Sequence, residues 1–575
     1  MNSLKASDYI AEFLHAQGVP QVFEVVGGMI THLIDSIHAG GKVKLVSVHH
    51  EQGAAFAADA VGRITGIPGV AMATSGPGAT NLLTGIGSCY FDSSPAIFIT
   101  GQVNLAEQKG NRPIRQLGFQ ETDIVSVAKP ITKAAWSIQS PEELPARLAE
   151  AFQLATSGRP GPVLLDIPMD VQRMKVAAPP PQRIVSVTDN LVAAAALDQL
   201  FDALAKAHRP LILIGGGIRS AGAGELFRQF ANALPVPVVN SLMAVDVLPF
   251  SHPSRVGMIG SYGNRWANLA IGRADLLVVL GSRLDVRQTG AMTAAFKGDR
   301  TIFQVDCDAP EINNRVLGCV PIVSHLRPFL QNATAAATKR SWPGWAAWRK
   351  ELDDLRQQWP DTNELRDVPG INPNVLMHQI SRQAKRCAAY VVDVGQHQMW
   401  AAQSLDLEPQ QRFLTSGGMG AMGFALPAAI GACFAATGQP VVMIAGDGGF
   451  QLNIQELQTI ARHKLPVKMV VLNNGCHGMV RQFQESYFDK QYASTMWGYS
   501  APDFAAVSRA YGIEAGTVSD PARVVQALEG MMASDAPYLL QVMIDTYANA
   551  YPKIAFGHPI TEMEPFVKPL DMEGT

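Results

Sequence analysis

Short apolar runs rich in β-branched residues alternate with longer helix-patterned stretches along nearly the whole chain, and this alternation constrains the fold more than any other feature. The runs are VKLVSV, GVAMAT, PAIFITG, PVLLDIP, PLILIGGG, PVPVVNS, DLLVVLGS, TIFQVD, AAYVVDVG, PVVMIAGDGG, VKMVVLNNG and PYLLQVMID. A strand that is apolar along its whole length is buried on both faces, as in a parallel sheet covered by helices. The expected class is therefore α/β, built from doubly wound parallel-sheet domains.

Two stretches break the rhythm. Val176–Asn190 (VAAPPPQRIVSVTDN) is proline-rich, cannot continue a helix or a central strand, and reads as a linker. From about Ala335 to Asn374 the chain is charged and tryptophan-bearing (SWPGWAAWRKELDDLRQQW), which reads as a connecting helix and loop. The 575 residues exceed one core at roughly 150 residues per domain. The breaks give three domains, residues 1–175, 191–335 and 371–555. They are joined by the linker 176–190 and the connecting segment 336–370. Residues 556–575 form a C-terminal tail, either loose or a flap over a site.

Apolar residues make up 47% of the chain and charged residues 17%, with a net charge of −3 and no lysine or arginine run. Nucleic acid and membrane surfaces are thus excluded as expected partners. No apolar run approaches the roughly 18 residues of a membrane span, and the N-terminus has an amphipathic helix pattern without the layout of a secretory signal. Six scattered cysteines without a CxxC pair read as buried reduced thiols, so the expected compartment is the cytoplasm.

The sharpest local pattern is VVMIAGDGGFQLNIQELQTI followed by VKMVVLNNGCHGMV. An apolar strand ends in Gly446-Asp447-Gly448-Gly449 and a helix starts at once; a second strand ends in Asn473-Asn474-Gly475. Glycines let the backbone approach a bulky anion, and a new helix presents free N–H groups and the positive end of its dipole. Asp447 and Asn474 then stand at the carboxyl ends of parallel strands, where open α/β sheets bind ligands. One carboxylate, one amide oxygen and a backbone carbonyl, with two phosphate oxygens and water, satisfy octahedral Mg²⁺. Ordinary βα-turn chemistry also uses Gly, Asp and Asn, and for the GDG alone that bland reading stands beside the functional one.

Near the N-terminus, SVHHEQGAAFAADAVGRITG places Glu51 after an apolar strand, at the head of a small-residue helix. A carboxyl group there is either a buried catalytic acid or a helix-start glutamate facing the dipole.

Taken together, these segments resemble the acetolactate synthase family of thiamine-diphosphate enzymes. The GDG…NN pair has the family's separation, and HEQ…A-A followed by TSGPGATN resembles its pyrimidine-binding domain. VGQHQMWAAQ and LTSGGMGAMGFALPAAIGA are close to the same branch. The resemblance implies three domains, pyrimidine-binding, middle Rossmann-like and diphosphate-binding, with thiamine diphosphate and Mg²⁺ as cofactors. Asp447 and Asn474 would coordinate the metal by side chain and Cys476 by its carbonyl. Gly395, Gln396, His397, Gly446, Gly448 and Gly449 would meet the diphosphate. Met422 would hold the cofactor bent, and the Gly420 carbonyl would accept the aminopyrimidine amino group. Glu51 would hydrogen-bond the pyrimidine ring nitrogen and so promote loss of the thiazolium proton. Gly76 and Pro77 form the turn beneath that ring, with Asn81 close by.

The implied reaction is decarboxylation of pyruvate and transfer of the two-carbon unit to a second carbonyl compound. LGFQETDIV resembles the family segment whose Phe and Gln face the substrate, here Phe119 and Gln120, and GSRLDVRQTG resembles the segment whose second arginine, here Arg287, would pair with a substrate carboxylate. By the same resemblance Gly28, Met479 and Phe483 would line the pocket. Several positions depart from the family pattern: Phe483 stands for a tryptophan, Met169 for a lysine, Val286 for an aspartate and Ile259 for a histidine. These changes bear on the second substrate more than on the first. VFEVVGGMITHLIDS and YFDSSPAIFITGQV also resemble enzymes that transfer an acetyl unit from pyruvate to a nucleotide-linked ketosugar, which is the alternative acceptor.

LILIGGGIRSAG follows a strand but lacks strict GxGxxG spacing. By the resemblance, the middle domain holds FAD that takes no part in turnover, lined by Gly216, Arg219, Met243, Gly260, Arg283 and Asp306. An FAD or nicotinamide oxidoreductase is the reading from another class, but it leaves Glu51 and the GDG–NN pair unexplained. A non-catalytic relative would be expected to lose Glu51 or a metal ligand, and neither is missing. The family places Glu51 and the metal site of one active centre on different subunits, which implies a homodimer or homotetramer.

Overall fold

The computed structural model describes residues 3–184, 194–436 and 438–572. It contains three six-stranded sheets of parallel strands, which bears out the α/β, doubly wound expectation. After β1 (Ser3–Lys5) come β2 (Gln21–Val25), β3 (Lys44–Ser47), β4 (Gly69–Ala73), β5 (Ala96–Gln102), β6 (Ala134–Ser137) and β7 (Pro162–Pro168), in spatial order β3-β2-β4-β5-β7-β6. β8 (Lys175–Ala177) then pairs antiparallel with β1. The start of the expected linker is therefore a strand, and its residues 185–190 lie outside the described residues.

The middle sheet comprises β9 (Pro210–Ile214), β10 (Val238–Asn240), β11 (Arg255–Met258), β12 (Leu276–Leu280), β13 (Thr301–Asp306) and β14 (Val320–Val323). Its order, β11-β10-β9-β12-β13-β14, is the 3-2-1-4-5-6 arrangement of dinucleotide-binding sheets. The third sheet comprises β15 (Ala389–Val392), β16 (Arg412–Leu414), β17 (Val441–Gly446), β18 (Val467–Asn473), β19 (Glu514–Val518) and β20 (Tyr538–Met543), ordered β16-β15-β17-β18-β20-β19. First and third sheets thus share one topology, although their sequences show no obvious repeat. β21 (Lys553–Ile554) and β22 (Met563–Glu564) form a final antiparallel pair.

By contact, the chain falls into two compact units. One comprises Met1–Thr188, Ser416–Gln439 and Leu452–Val467; the other comprises Asp189–Thr415, Pro440–Gln451 and Lys468–Thr575. In the first unit, helix Ala425–Ala435 lies against helix Glu51–Thr65 at close range. A Cβ on Gly431 would stand 2.1 Å from the Ala57 carbonyl oxygen, so the approach requires glycine. Phe56 and Phe424 meet edge to face beside it, 5.3 Å between centroids.

In the second unit, the segment expected to connect domains contributes helix Ala346–Gln358 to the middle core. Trp348, Leu352 and Leu355 are buried there, and Trp348 Nε1 donates to the Pro210 carbonyl at 3.0 Å. Beyond residue 556, Ile560 and Met563 join the same core, and the Arg265 guanidinium pairs with Glu364 and lies 4.7 Å from the Phe566 ring centre.

An ionic knot ties the connecting segment to the third sheet's helices. His378 bonds Asp406 through Nδ1 at 2.9 Å and Asp361 through Nε2 at 2.8 Å. Burial alone would push this imidazole down, but the two carboxylates raise it to about 9. The pairing stabilises the fold fully below the free imidazole's pKa of about 6.5 and is lost as pH rises through about 9. His378→Gln is expected to cost about 2 kcal/mol near pH 6 and little at pH 10, read as urea-unfolding midpoints at both pH values.

Candidate active site

In the first sheet the strand order reverses between β2 and β4, whose carboxyl ends therefore frame a ligand crevice. Gly27 and Gly28 follow β2. A Cβ on Gly27 would stand 2.4 Å from the Thr74 Cβ, so this turn packs directly on the residue after β4. Gly76 takes φ 65°, ψ −122°, and launches the short helix Pro77–Asn81 with proline at its first position. Glu51 opens helix Glu51–Thr65, only 9% exposed. Its Oε2 accepts from Asn81 Nδ2 at 3.0 Å, and a Cβ on Gly78 would lie 3.2 Å from its Oε1. Gln120 sits against the same turn, 3.0 Å from where a Gly76 Cβ would be, and holds a left-handed φ of 66°. Phe119 beside it is 78% exposed. The structure therefore brings Glu51, Gly76, Pro77, Asn81 and Gln120 together.

Two residues of this region escaped the sequence reading. Glu456, fully buried, accepts from the His49 main-chain N–H at 2.9 Å and so fixes the segment leading into Glu51. Asp92 accepts from the main-chain N–H groups of Gly417 (3.0 Å) and Gly418 (2.7 Å) and pairs with Arg63 at 3.0 Å. It thereby latches the loop that carries Gly420 and Met422, both half-buried.

In the third sheet the reversal lies between β15 and β17. Gly395, Gln396 and His397 follow β15, and Gln396 begins the nine-residue helix Gln396–Ser404. The Gly446-Asp447-Gly448-Gly449 turn follows β17. A Cβ on Gly446 would stand 2.9 Å from His397 Nδ1, and one on Gly449 would stand 2.8 Å from Asp393 Oδ1; both turns need glycine. Asn474 follows β18, the next strand; its Nδ2 donates to Gln396 Oε1 at 3.3 Å. Met479 and Phe483 lie on helix Gly478–Tyr487, which starts two residues after Cys476.

The electrostatics of this cradle fit a divalent cation and a diphosphate. Asp447 is 2% exposed, and its Oδ2 is buried without a hydrogen-bond partner. Burial pushes this carboxyl up to about 6 against hydrogen bonds from the Tyr499 hydroxyl and from main-chain groups including Gly475. A carboxylate so placed lacks a positive partner, which a cation supplies. Burial drives the His397 imidazole down to about 3, and its Nε2 is likewise buried without a partner. An anionic phosphate oxygen offers that nitrogen both a partner and a countercharge. Burial raises the Cys476 thiol to about 11, so its sulfur stays protonated and its carbonyl oxygen is the donor suited to a hard cation. Among the described residues no three His, Cys, Asp or Glu side chains cluster as a self-sufficient metal site. Tyr499 lies in a loop without periodicity, and nothing in the sequence pointed to it.

The residues expected at a flavin all stand beyond or at carboxyl ends of the middle strands: Gly216 after β9, Met243 after β10, Gly260 after β11, Arg283 after β12 and Asp306 ending β13. Gly216 approaches Met243, with 3.0 Å from a built Cβ to the Met243 Cβ. Arg219 is engaged with buried Asp246 at 3.0 Å, which also pairs with Arg412 at 2.9 Å. Arg287 is exposed; its carbonyl accepts from the Ser261 N–H.

Comparison with known proteins gives the class first. Residues 4–127 match the N-terminal TPP binding domain of thiamine pyrophosphate enzymes, residues 197–333 their central domain and residues 393–542 their C-terminal TPP binding domain. The protein is thus a thiamine-diphosphate-dependent enzyme. It is 37% identical to the acetolactate synthase isozyme 2 large subunit of Escherichia coli over 97% of this chain and 99% of that one. It is 37% identical to the acetolactate synthase large subunit of Corynebacterium glutamicum over 94% and 87% of the respective chains. With the probable acetolactate synthase large subunit of Methanocaldococcus jannaschii it shares 35% identity over 99% and 96%. The chain belongs to the acetolactate synthase large-subunit family.

Proposed function

We propose that the enzyme decarboxylates pyruvate and joins the resulting two-carbon unit to a second carbonyl compound. The observation that carries this reading is the complementarity of two buried carboxylates. Glu51 is held by Asn81 beside the closely packed Gly76–Gly78 turn. Asp447 has an unpartnered oxygen at a helix-bearing glycine turn suited to Mg²⁺ and diphosphate. Thiamine diphosphate, when bound, would supply the nucleophilic carbon and the electron sink that decarboxylation of a 2-oxo acid requires. Asp447 and Asn474, with the Cys476 carbonyl, hold the metal, while Gln396 and His397 meet the diphosphate. Glu51, buried at 9% exposure, manages the proton at the pyrimidine nitrogen. Gln120, Phe119 and Arg287 hold the acceptor, Arg287 by pairing with an anionic group.

Incubation with pyruvate, thiamine diphosphate and Mg²⁺ should yield CO₂ and acetolactate; protein that releases no CO₂ from pyruvate would refute the reading. One observation favours a bulkier acceptor such as a nucleotide-linked ketosugar. Phe483 is 39% exposed and continues into an open aromatic strip with Tyr487 and Phe488, at 4.7 and 5.8 Å between centroids. Product formation only on addition of such a ketone would select that acceptor.

FAD, serving structure and not turnover, is supported by the middle sheet's strand order and by the placement of Gly216, Met243, Gly260, Arg283 and Asp306 at its carboxyl end. A flavin absorbance band in purified protein is the expected result. A homodimer or homotetramer is supported by the large apolar side chains bared near both sites, Val26 and Phe119 in one unit and Phe488, Trp497 and Tyr547 in the other. Light scattering should return at least twice the 61.7 kDa chain mass. The six cysteines, none of them in a disulfide, suit the reducing cytoplasm. No helix among the described residues is long and apolar enough to cross a membrane.

A further inference from the structure

Beneath the Phe119–Gln120 loop, the carboxyl ends of β5 and β7 carry a buried polar chain that the cofactor chemistry leaves unused. Asp166 on β7, 3% exposed, stands opposite Thr100 on β5. Thr100 Oγ1 donates to its Oδ1 at 2.6 Å, and Gln102 Nε2 donates to its Oδ2 at 3.0 Å. The same Gln102 nitrogen donates to the Thr122 carbonyl at 2.8 Å, while Gln102 Oε1 accepts from the Val103 N–H at 3.1 Å. Both N–H bonds and the oxygen of this amide are therefore spoken for, which fixes its orientation.

Thr122 lies two residues beyond Gln120, whose left-handed backbone a residue with a Cβ keeps only when its surroundings hold it. The loop's outer side is closed by Glu121, whose carboxylate accepts from the Leu117 N–H at 2.8 Å. Gln102 ties its inner side to the sheet.

We propose that Gln102, oriented by Asp166, is a positioning residue for the acceptor: by holding the Thr122 carbonyl it keeps Gln120 in its left-handed turn and Phe119 and Gln120 at the Gly76 turn. The inference deepens the proposed function and rests on it for assigning Phe119 and Gln120 to the acceptor. Burial pushes the Asp166 carboxyl up to about 7 against the Thr100 and Gln102 hydrogen bonds, and the charge of Asp123, which caps helix Ile124–Ala128, adds to the rise. Protonation removes acceptor capacity from the oxygens that orient Gln102, so the anchor loosens as pH falls through about 7.

Hydrogen exchange of the full chain tests the anchor without turnover. Gln102→Ala, and Gln102→Glu, whose carboxylate has no N–H for Thr122, should each speed exchange at residues 117–123 about tenfold while β4 and β7 stay protected. With pyruvate, cofactors and acceptor, both variants should keep CO₂ release within about twofold while the acceptor KM rises about tenfold. The wild-type acceptor KM should rise below about pH 7, and this dependence should flatten in Asp166→Asn. Unchanged exchange at 117–123 overturns the proposal, as does equal loss of CO₂ release and acceptor use. Wild-type protein that releases no CO₂ sinks the proposed function alone, leaving the exchange result to decide the anchor.

Discussion

Replacing Glu51 by glutamine should leave a folded protein that binds thiamine diphosphate and Mg²⁺ but turns over at least about a thousandfold more slowly. The amide has the carboxylate's shape, and its oxygen still accepts from Asn81 Nδ2, now at 3.0 Å from Oε2. The first turn of helix Glu51–Thr65 keeps its cap, because His50 Nδ1 accepts from the Gln52 N–H at 3.0 Å independently of residue 51. Nothing that packs the helix is removed, so the melting temperature should move by no more than a few degrees. What disappears is the proton-bearing capacity of a group whose surroundings exclude water. Cofactor titration followed by protein fluorescence, beside CO₂ release in the same preparation, separates binding from chemistry. Near-wild-type CO₂ release by the variant would remove Glu51 from its assigned role. Asn81→Ala provides the graded control: Glu51 stays but loses its tether, and activity should fall by about tenfold.

The sequence disclosed the sheets through their central strands and hid most edges. β4, β5, β7, β9, β12, β17 and β18 are buried from end to end and largely apolar because helices cover both faces, and they stood out at once. The strands left unseen were mostly edges, β6, β11, β14, β16 and β19, which are short and only partly buried, so their composition resembles that of loops. β2 is internal yet was masked by Gln21 and Glu24, polar residues buried at 4% and 2% exposure.

The site was legible for a similar reason. Gly76 holds a left-handed φ, and a Cβ on Gly446 or Gly449 would press on the His397 or Asp393 side chain; glycines so constrained form readable spacing. Asp92, Glu456 and Tyr499 act on the site through hydrogen bonds from segments remote in sequence, and no periodicity encodes such a bond. Helix Ala346–Gln358 looked like a connection because its outward face is charged. Only the three-dimensional core reveals that Trp348, Leu352 and Leu355 lie on one buried stripe.

Asp447→Asn should produce opposite effects with and without metal, and that reversal makes it the most discriminating substitution at the other carboxylate. In the metal-free protein, Asp447 buries an ionisable oxygen that no group satisfies. Converting it to an amide removes the charge, and the apo variant should gain about 1–3 kcal/mol of stability. With Mg²⁺ and thiamine diphosphate the order inverts. Wild-type protein gains about 2.7 kcal/mol when both are near a hundred times their dissociation constant. The variant keeps the Asn474 amide and the Cys476 carbonyl but offers the cation no formal charge, so half-activation should need at least about a hundredfold more Mg²⁺. Chelation by EDTA should lower the wild-type melting temperature toward its apo value and leave the variant almost unmoved. Tyr499→Phe removes only the hydroxyl that bonds the carboxylate, and should weaken Mg²⁺ by about tenfold without the apo stabilisation. An Asp447→Asn protein that is less stable than wild type without metal, and equally responsive to Mg²⁺, would place the cation elsewhere.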